Sequence, residues 1–254
     1  MLRVENLSKS FGGVHAMNGV TLDFPARSLT AIIGPNGAGK TTFFNLVSGH
    51  IRADTGSVWL DGENVMGLSS LQIVRRGMCR AFQVASIFPN MTLEESVVAA
   101  VTSRQGDLFS LLRRAPLARA RARAHEIIDL LGLGHRAGAM SRNLSHGEQK
   151  LLDIALALAL EPKVLLLDEP TAGMGAEERW DMIEKVYDLW RSGDLTVVFI
   201  EHDMDIVFKI AETIRVLKYG QVLAEGTADQ IRRNQEVIDA YLGTDHSAPA
   251  EESL

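Results

Sequence analysis

The sequence predicts an α/β fold with a mainly parallel core sheet, from three observations. Short apolar runs of strand character, at Leu29–Ile33, 164–167 and 195–200, alternate with segments of helical period, the pattern of parallel strands joined by crossover helices. A glycine-rich loop, Gly34-Pro35-Asn36-Gly37-Ala38-Gly39-Lys40-Thr41, joins the first of these strands to a helix. Between residues 84 and 142 the alternation gives way to helix alone, which reads as a helical subdomain inserted into the α/β core. The expected unit is a single domain over 1–243, with an N-terminal antiparallel β subdomain at its start.

The elements follow in order. The first sixty residues are β-rich: in 20–24, Val20, Leu22 and Phe24 alternate with Thr21 and Asp23, and 57–60 reads as another strand. After the glycine loop, Thr42, Phe43, Phe44, Leu46 and Val47 continue a helix. Residues 93–101 are an amphipathic helix candidate, and 116–133 a longer one ending at Gly134. The basic stretch Arg113, Arg114, Arg119, Arg121 and Arg123 reads as a solvated helix face, with an anionic-lipid contact as the alternative. Residues 151–160, apolar except for Asp153, read as a buried helix. Residues 176–190 have helical period, with Met182, Val186, Leu189 and Trp190 on one side. The tail 244–254 is polar and expected to be disordered.

Composition narrows the classes. The chain has 254 residues, 46% hydrophobic and 23% charged, which is ordinary for a globular protein. A net charge of −6 argues against a nucleic-acid binder held by a basic surface. No apolar run approaches the ~18 residues of a membrane span, and the amino terminus opens directly on strand-like residues rather than a secretory signal. The lone Cys79 suits a reducing compartment and a core position.

The glycine loop fills the G-x-x-x-x-G-K-[ST] pattern between a strand and a helix, the context that its chemistry needs. Glycines let backbone N–H groups turn inward, and the helix N-terminus favours a bound phosphate. Lys40 is placed to reach the β- and γ-phosphates of a nucleoside triphosphate, and the Thr41 hydroxyl to help hold Mg²⁺. The fold class is therefore that of a phosphate-loop (P-loop) NTPase. The run 164–167 ends in Asp168-Glu169, at the carboxyl end of a strand, where open α/β sheets bind ligands. Asp168 reads as a Mg²⁺ ligand and Glu169 as the carboxylate that orients the attacking water.

Leu144-Ser145-His146-Gly147-Glu148-Gln149 resembles the signature of ATP-binding-cassette (ABC) ATPases, commonly Leu-Ser-Gly-Gly-Gln. The order of motifs also matches: phosphate loop, Gln83 after Ala81-Phe82, signature, Asp168-Glu169, then His202 after a strand. The resemblance covers residues 2 to about 243. It implies two cassettes packed head to tail, a homodimer or a pair with a related ATPase, each ATP held between one phosphate loop and the partner's signature. By that match Ser145 and Gly147 contact the γ-phosphate across the dimer. Gln83 senses Mg²⁺ and the attacking water, His202 contacts the γ-phosphate, and Phe11 lies against adenine. Bland readings coexist with these. Ser145 with Glu148 is also a capping box that starts a helix, and Phe11 is also a possible core residue.

Departures stand out as well. His146 replaces the usual second glycine, Glu148 adds a negative charge to the signature, and Met174-Gly175 lacks the acid or amide often found there. Arg80-Ala81-Phe82-Gln83, Ala172-Gly173-Met174, Ile200-Glu201-His202-Asp203-Met204 and the ending 237–243 resemble the hydrophobic amino-acid uptake branch, with its urea and amide relatives. The resemblance implies a peripheral ATPase on the cytoplasmic face of the membrane, bound to transmembrane permease subunits and served indirectly by a periplasmic or extracellular binding protein. Residues 84–91, with Ile87, Phe88 and Met91, fall where related importers receive a permease helix. An ATPase of an envelope-lipid exporter and a soluble non-transport ABC protein are the alternatives. The acidic balance and single cassette speak against the second.

Overall fold

The computed structural model describes residues 1–81, 88–104 and 114–242. Four antiparallel strands, β1 (Leu2–Phe11), β2 (Val14–Phe24), β4 (Thr55–Leu60) and β5 (Glu63–Asn64), form a sheet in the order β2-β1-β4-β5. Leu2, Val4 and Leu7 of β1 are fully buried, and Val20, Leu22 and Phe24 of β2 nearly so, so this sheet packs one face inward. The strand expected at 20–24 is eleven residues long. Its first half was hidden because the register shifts between β1 and β2 and Gly19 takes φ 66°, interrupting the alternation.

The second sheet holds β3 (Leu29–Ile33), β6 (Met78–Ala81), β7 (Val164–Asp168), β8 (Thr196–Ile200), β9 (Thr213–Lys218) and β10 (Gln221–Gly226), in the order β10-β9-β3-β8-β7-β6. All its pairings are parallel except the β9–β10 hairpin. β3, β7 and β8 are buried at every position, as parallel strands covered on both faces require. The register aligns their carboxyl ends, because Ile200 faces both Ile32 of β3 and Asp168 of β7. Everything that follows these strands therefore emerges at one edge of the sheet.

The helices are α1 (Lys40–Val47), α2 (Ser70–Arg75), α3 (Leu93–Arg104), α4 (Arg114–Leu130), α5 (His146–Ala159), α6 (Ala176–Ser192), α7 (Met204–Ile210), α8 (Ala228–Arg232) and α9 (Gln235–Leu242). α3, α4 and α5 pack together, and α5 also packs on β6, joining the helical part to the sheet. The helix expected to end at Gly134 ends earlier. Gly132 takes φ 71°, its N–H donates to Asp129 O and the Leu133 N–H reaches back to Ile128 O, both at 2.9 Å. That is a Schellman closure, and it puts the glycine stop two residues before the one chosen from sequence. Gly134 instead opens a short 3₁₀ turn. Among the described residues no helix is long and apolar enough to cross a membrane.

Candidate active site

The phosphate loop leaves β3 at Gly34 and enters α1 at Lys40. Two of its glycines are required by space as well as by φ. A Cβ on Gly34 (φ 150°) would stand 2.1 Å from Leu217 O, and one on Gly39 (φ 101°) 2.5 Å from Ala16 O. Asn36 and Gly37 are exposed at the rim of the loop, Pro35 is half-buried, and Ala38 is buried beneath. Thr41, in the first turn of α1, is exposed, and Thr42 after it is half-buried. The Lys40 side chain turns back into the loop, and its Nζ donates to Gly34 O at 2.7 Å and Pro35 O at 3.1 Å. Burial holds its pKa below the ordinary lysine value, while Glu169 and Asp168 pull it back up. That opposition places the ammonium and the two carboxylates in one electrostatic neighbourhood.

β7 delivers the carboxylates. Asp168, the last residue of the strand, is buried, and its Oδ2 pairs with Arg80 of β6 at 2.5 Å. Arg80 also donates to Asn45 Oδ1 of α1 at 2.6 Å. The other Asp168 oxygen, Oδ1, is buried without a hydrogen-bond partner among the described residues. An unpartnered buried carboxylate oxygen suits Mg²⁺, a cation that keeps several waters and takes few protein oxygens. Glu169 has left the strand with φ 49°, an uncommon conformation for a non-glycine residue, and its N–H is held by Ile200 O at 3.0 Å. Its Oε1 stands 2.8 Å from His202 Nε2. The structure thus brings together Lys40, Asp168, Glu169 and His202, four residues chosen from sequence. Gln83 lies outside the described residues.

Two buried groups that sequence reading passed over tie this centre to its surroundings. Lys150 of α5 donates to Glu169 O at 3.2 Å. Burial lowers its pKa, opposed first by Asp153 and then by Asp168, Glu169 and Glu201. Glu201 accepts from the Thr171 N–H at 2.9 Å and hydroxyl at 2.7 Å, which fixes the loop after Glu169 to the end of β8. Burial raises the Glu201 pKa, and the Thr171 and His202 hydrogen bonds oppose the rise. Charges inside apolar stretches were the available signal. Arg80 sits in a short strand, and Lys150 and Asp153 are buried beside the apolar residues of α5.

The signature segment is the N-terminus of α5. Ser145 Oγ accepts the Glu148 N–H at 3.2 Å and the Ser145 N–H donates to Glu148 Oε2 at 2.7 Å, so the capping box is formed. The Glu148 charge does not stand alone, because Arg136 Nε lies 2.9 Å from its Oε1. His146 Nε2 is 3.1 Å from Ala172 O, and Gly147 faces the Met174 methyl. The signature and the loop after Glu169 are therefore joined within one chain. Phe11 is 49% exposed at the end of β1, its ring 5.4 Å from Lys9 Nζ, so it is a surface aromatic and not core.

A phosphate loop at the strand ends, a metal-suited aspartate and a glutamate–histidine pair define a nucleotide-hydrolysing P-loop protein. The comparisons with known proteins narrow that class. Residues 17–172 match the family model described as ABC transporter, and residues 221–247 match the one described as branched-chain amino acid ATP-binding cassette transporter. The chain belongs to the ABC transporter family. It is 38% identical over 249 residues to the high-affinity branched-chain amino acid transport ATP-binding protein LivG of Escherichia coli (strain K12), covering 96% of this chain and 98% of that protein. The ADP conformation of an ATP-binding cassette of an ABC transporter superposes with a TM-score of 0.83 at 29% identity, covering 96% of this chain and 98% of that one. A dimeric cassette in a post-hydrolysis state with ADP and Pi superposes with a TM-score of 0.77 at 25% identity, covering 90% and 99%.

Proposed function

We propose that this chain is the ATP-hydrolysing subunit of an ABC importer for branched-chain amino acids or related small solutes, working on the cytoplasmic side of the membrane with separate permease subunits. The observation that carries the catalytic part is the Glu169–His202 contact at 2.8 Å, directly after the buried Asp168. The names of the similar proteins support the transport part.

ATP is held by the inward amides of the phosphate loop, from Gly34 to Thr42, with Phe11 offered to adenine. Lys40 exchanges its carbonyl contacts for the β- and γ-phosphates and offsets their charge. Asp168 and Thr41, together with Gln83, would hold Mg²⁺, and the ion would supply positive charge against the phosphate oxygens. Glu169 orients the attacking water and takes its proton, while His202 steadies the Glu169 carboxylate and contacts the γ-phosphate. Ser145 and Gly147 complete the site on the second subunit, a further copy of this chain or a related ATPase.

The permease seat is the groove beside α3. It measures about 630 Å³ and is lined by Met91, Glu94, Val98 and Thr102 on one side and Leu117 and Arg121 on the other. Phe88 stands half-exposed just before it, and 84–87, also assigned to docking, lie outside the described residues. The described part of the basic stretch fits a solvated face at its edge, with Arg121 3.5 Å from Glu94 and Arg123 2.8 Å from Glu126. Phe88→Asp with Met91→Asp is expected to leave ATP binding intact and to abolish co-purification with co-expressed permease subunits. An intact, transporting complex from that double variant overturns the docking assignment.

A further inference from the structure

The Arg80–Asp168 pair is unusual in its position, because the carboxylate fitted to receive Mg²⁺ already carries a cation. Both side chains are at least 95% buried, Arg80 being 5% and Asp168 3% exposed. Arg80 also reaches across to α1 through Asn45 Oδ1, and its guanidinium lies 5.6 Å from the Phe44 ring centre. The arginine is thus fixed between β6, β7 and α1, beneath the phosphate loop. Its grip is on Oδ2 alone. Oδ1 is the oxygen left without a hydrogen bond among the described residues.

We infer that Arg80 is a positioning residue and a resident counter-charge for Asp168: it holds one carboxylate oxygen, aims the other at the metal position, and neutralises Asp168 whenever Mg²⁺ is not there. The physical need is plain. A buried carboxylate with no partner is strongly disfavoured, and it also repels a nucleotide whose phosphates carry several negative charges. With Arg80 in place the site presents no net charge from this pair, so the chain accepts ATP with or without its metal. The same salt bridge ties β6, which leads directly towards Gln83, to the metal ligand. The inference rests on the nucleotide-binding reading given above.

The test is equilibrium binding of a fluorescent ATP analogue, measured once in EDTA and once with excess MgCl₂, to wild type, Arg80→Gln, Asp168→Asn and the double variant. Arg80→Gln is expected to weaken metal-free binding by at least about tenfold, because an uncompensated carboxylate then faces the phosphates. Binding with MgCl₂ should change much less, since the cation restores the balance. Asp168→Asn is expected to tighten metal-free binding, and the double variant to return it close to wild type. Arg80→Lys, which keeps the charge, should resemble wild type in EDTA. Equal weakening of Arg80→Gln under both conditions overturns the inference, as does a double variant no different from Asp168→Asn in EDTA. The second comparison also decides the matter if Arg80→Gln alone does not fold, since the neutral pair leaves no buried charge unpaired. Wild type that binds neither form of the analogue contradicts the nucleotide-binding reading instead.

Discussion

In the proposed mechanism the chemistry turns on Glu169 and Lys40, and each has a distinct expected signature. Glu169 is held by backbone at a left-handed φ and by His202 at 2.8 Å, so its carboxylate is aimed before substrate arrives. Glu169→Gln is expected to retain ATP binding and to lose hydrolysis by about 10²–10⁴-fold, the range for removal of a positioned general base. Single-turnover phosphate release on the purified chain checks this, and turnover at the wild-type rate would show that another group activates water. Lys40→Ala is expected to abolish productive binding, because no other described cation donates into the loop carbonyls that Lys40 occupies. Near-normal affinity for ATP in that variant would show that Lys40 does not bind the phosphates.

At the scale of the element, α5 carries two functions on one N-terminus. Its capping box starts the helix, and in the proposed dimer the same Ser145 faces the second subunit's nucleotide. The two roles separate by substitution. Ser145→Ala should cost about 1 kcal/mol of stability through loss of the cap, and Ser145→Asp should keep the cap while placing a negative charge against the γ-phosphate. Chemical denaturation together with ATPase rates distinguishes them: a stable but inactive Ser145→Asp is expected, and an active one would confine Ser145 to capping. β7 is the complementary case, an element whose work is placement. Leu166 is fully buried, so Leu166→Ala should cost roughly 2–5 kcal/mol, measured by the denaturation midpoint.

The same elements show what could be read before the structure. The phosphate loop, Asp168-Glu169 and the Ser145–Glu148 box were legible because each is a local pattern whose chemistry needs fixed spacing. Arg80 was visible only as part of a string, because its partner lies 88 positions away and the contact exists only once β6 pairs with β7. Lys150 was hidden for the same reason, its bond to Glu169 O spanning α5 and the end of β7. The end of α4 was misplaced since Gly132 and Gly134 are equivalent in sequence, and only the closing hydrogen bonds choose between them. β9 and β10 were passed over because Tyr219, an aromatic with φ 49°, occupies a hairpin turn where glycine or asparagine is the usual sign.

At the scale of the whole molecule, the antiparallel sheet, the parallel sheet and the helices form a scaffold that gathers the carboxyl ends of the parallel strands at one edge, where the proposed nucleotide site lies. Cys79 reports on that scaffold. It lies in β6, buried, and burial pushes its thiol up to about 12. The native chain is expected to resist alkylation at pH 8 and to react fully in denaturant, and rapid native labelling would mean that β6 opens. In the proposed assembly the cassette works as a composite dimer, with the signature of one chain completing the phosphate loop of the other. For wild type that hydrolyses ATP alone, the most direct measurement mixes two inactive chains, Lys40→Ala and Ser145→Arg. Each mixed dimer then holds one site with an intact phosphate loop facing an intact signature. The mixture is expected to recover part of the wild-type ATPase rate. A mixture as inactive as its two components would contradict a site shared between two copies of this chain.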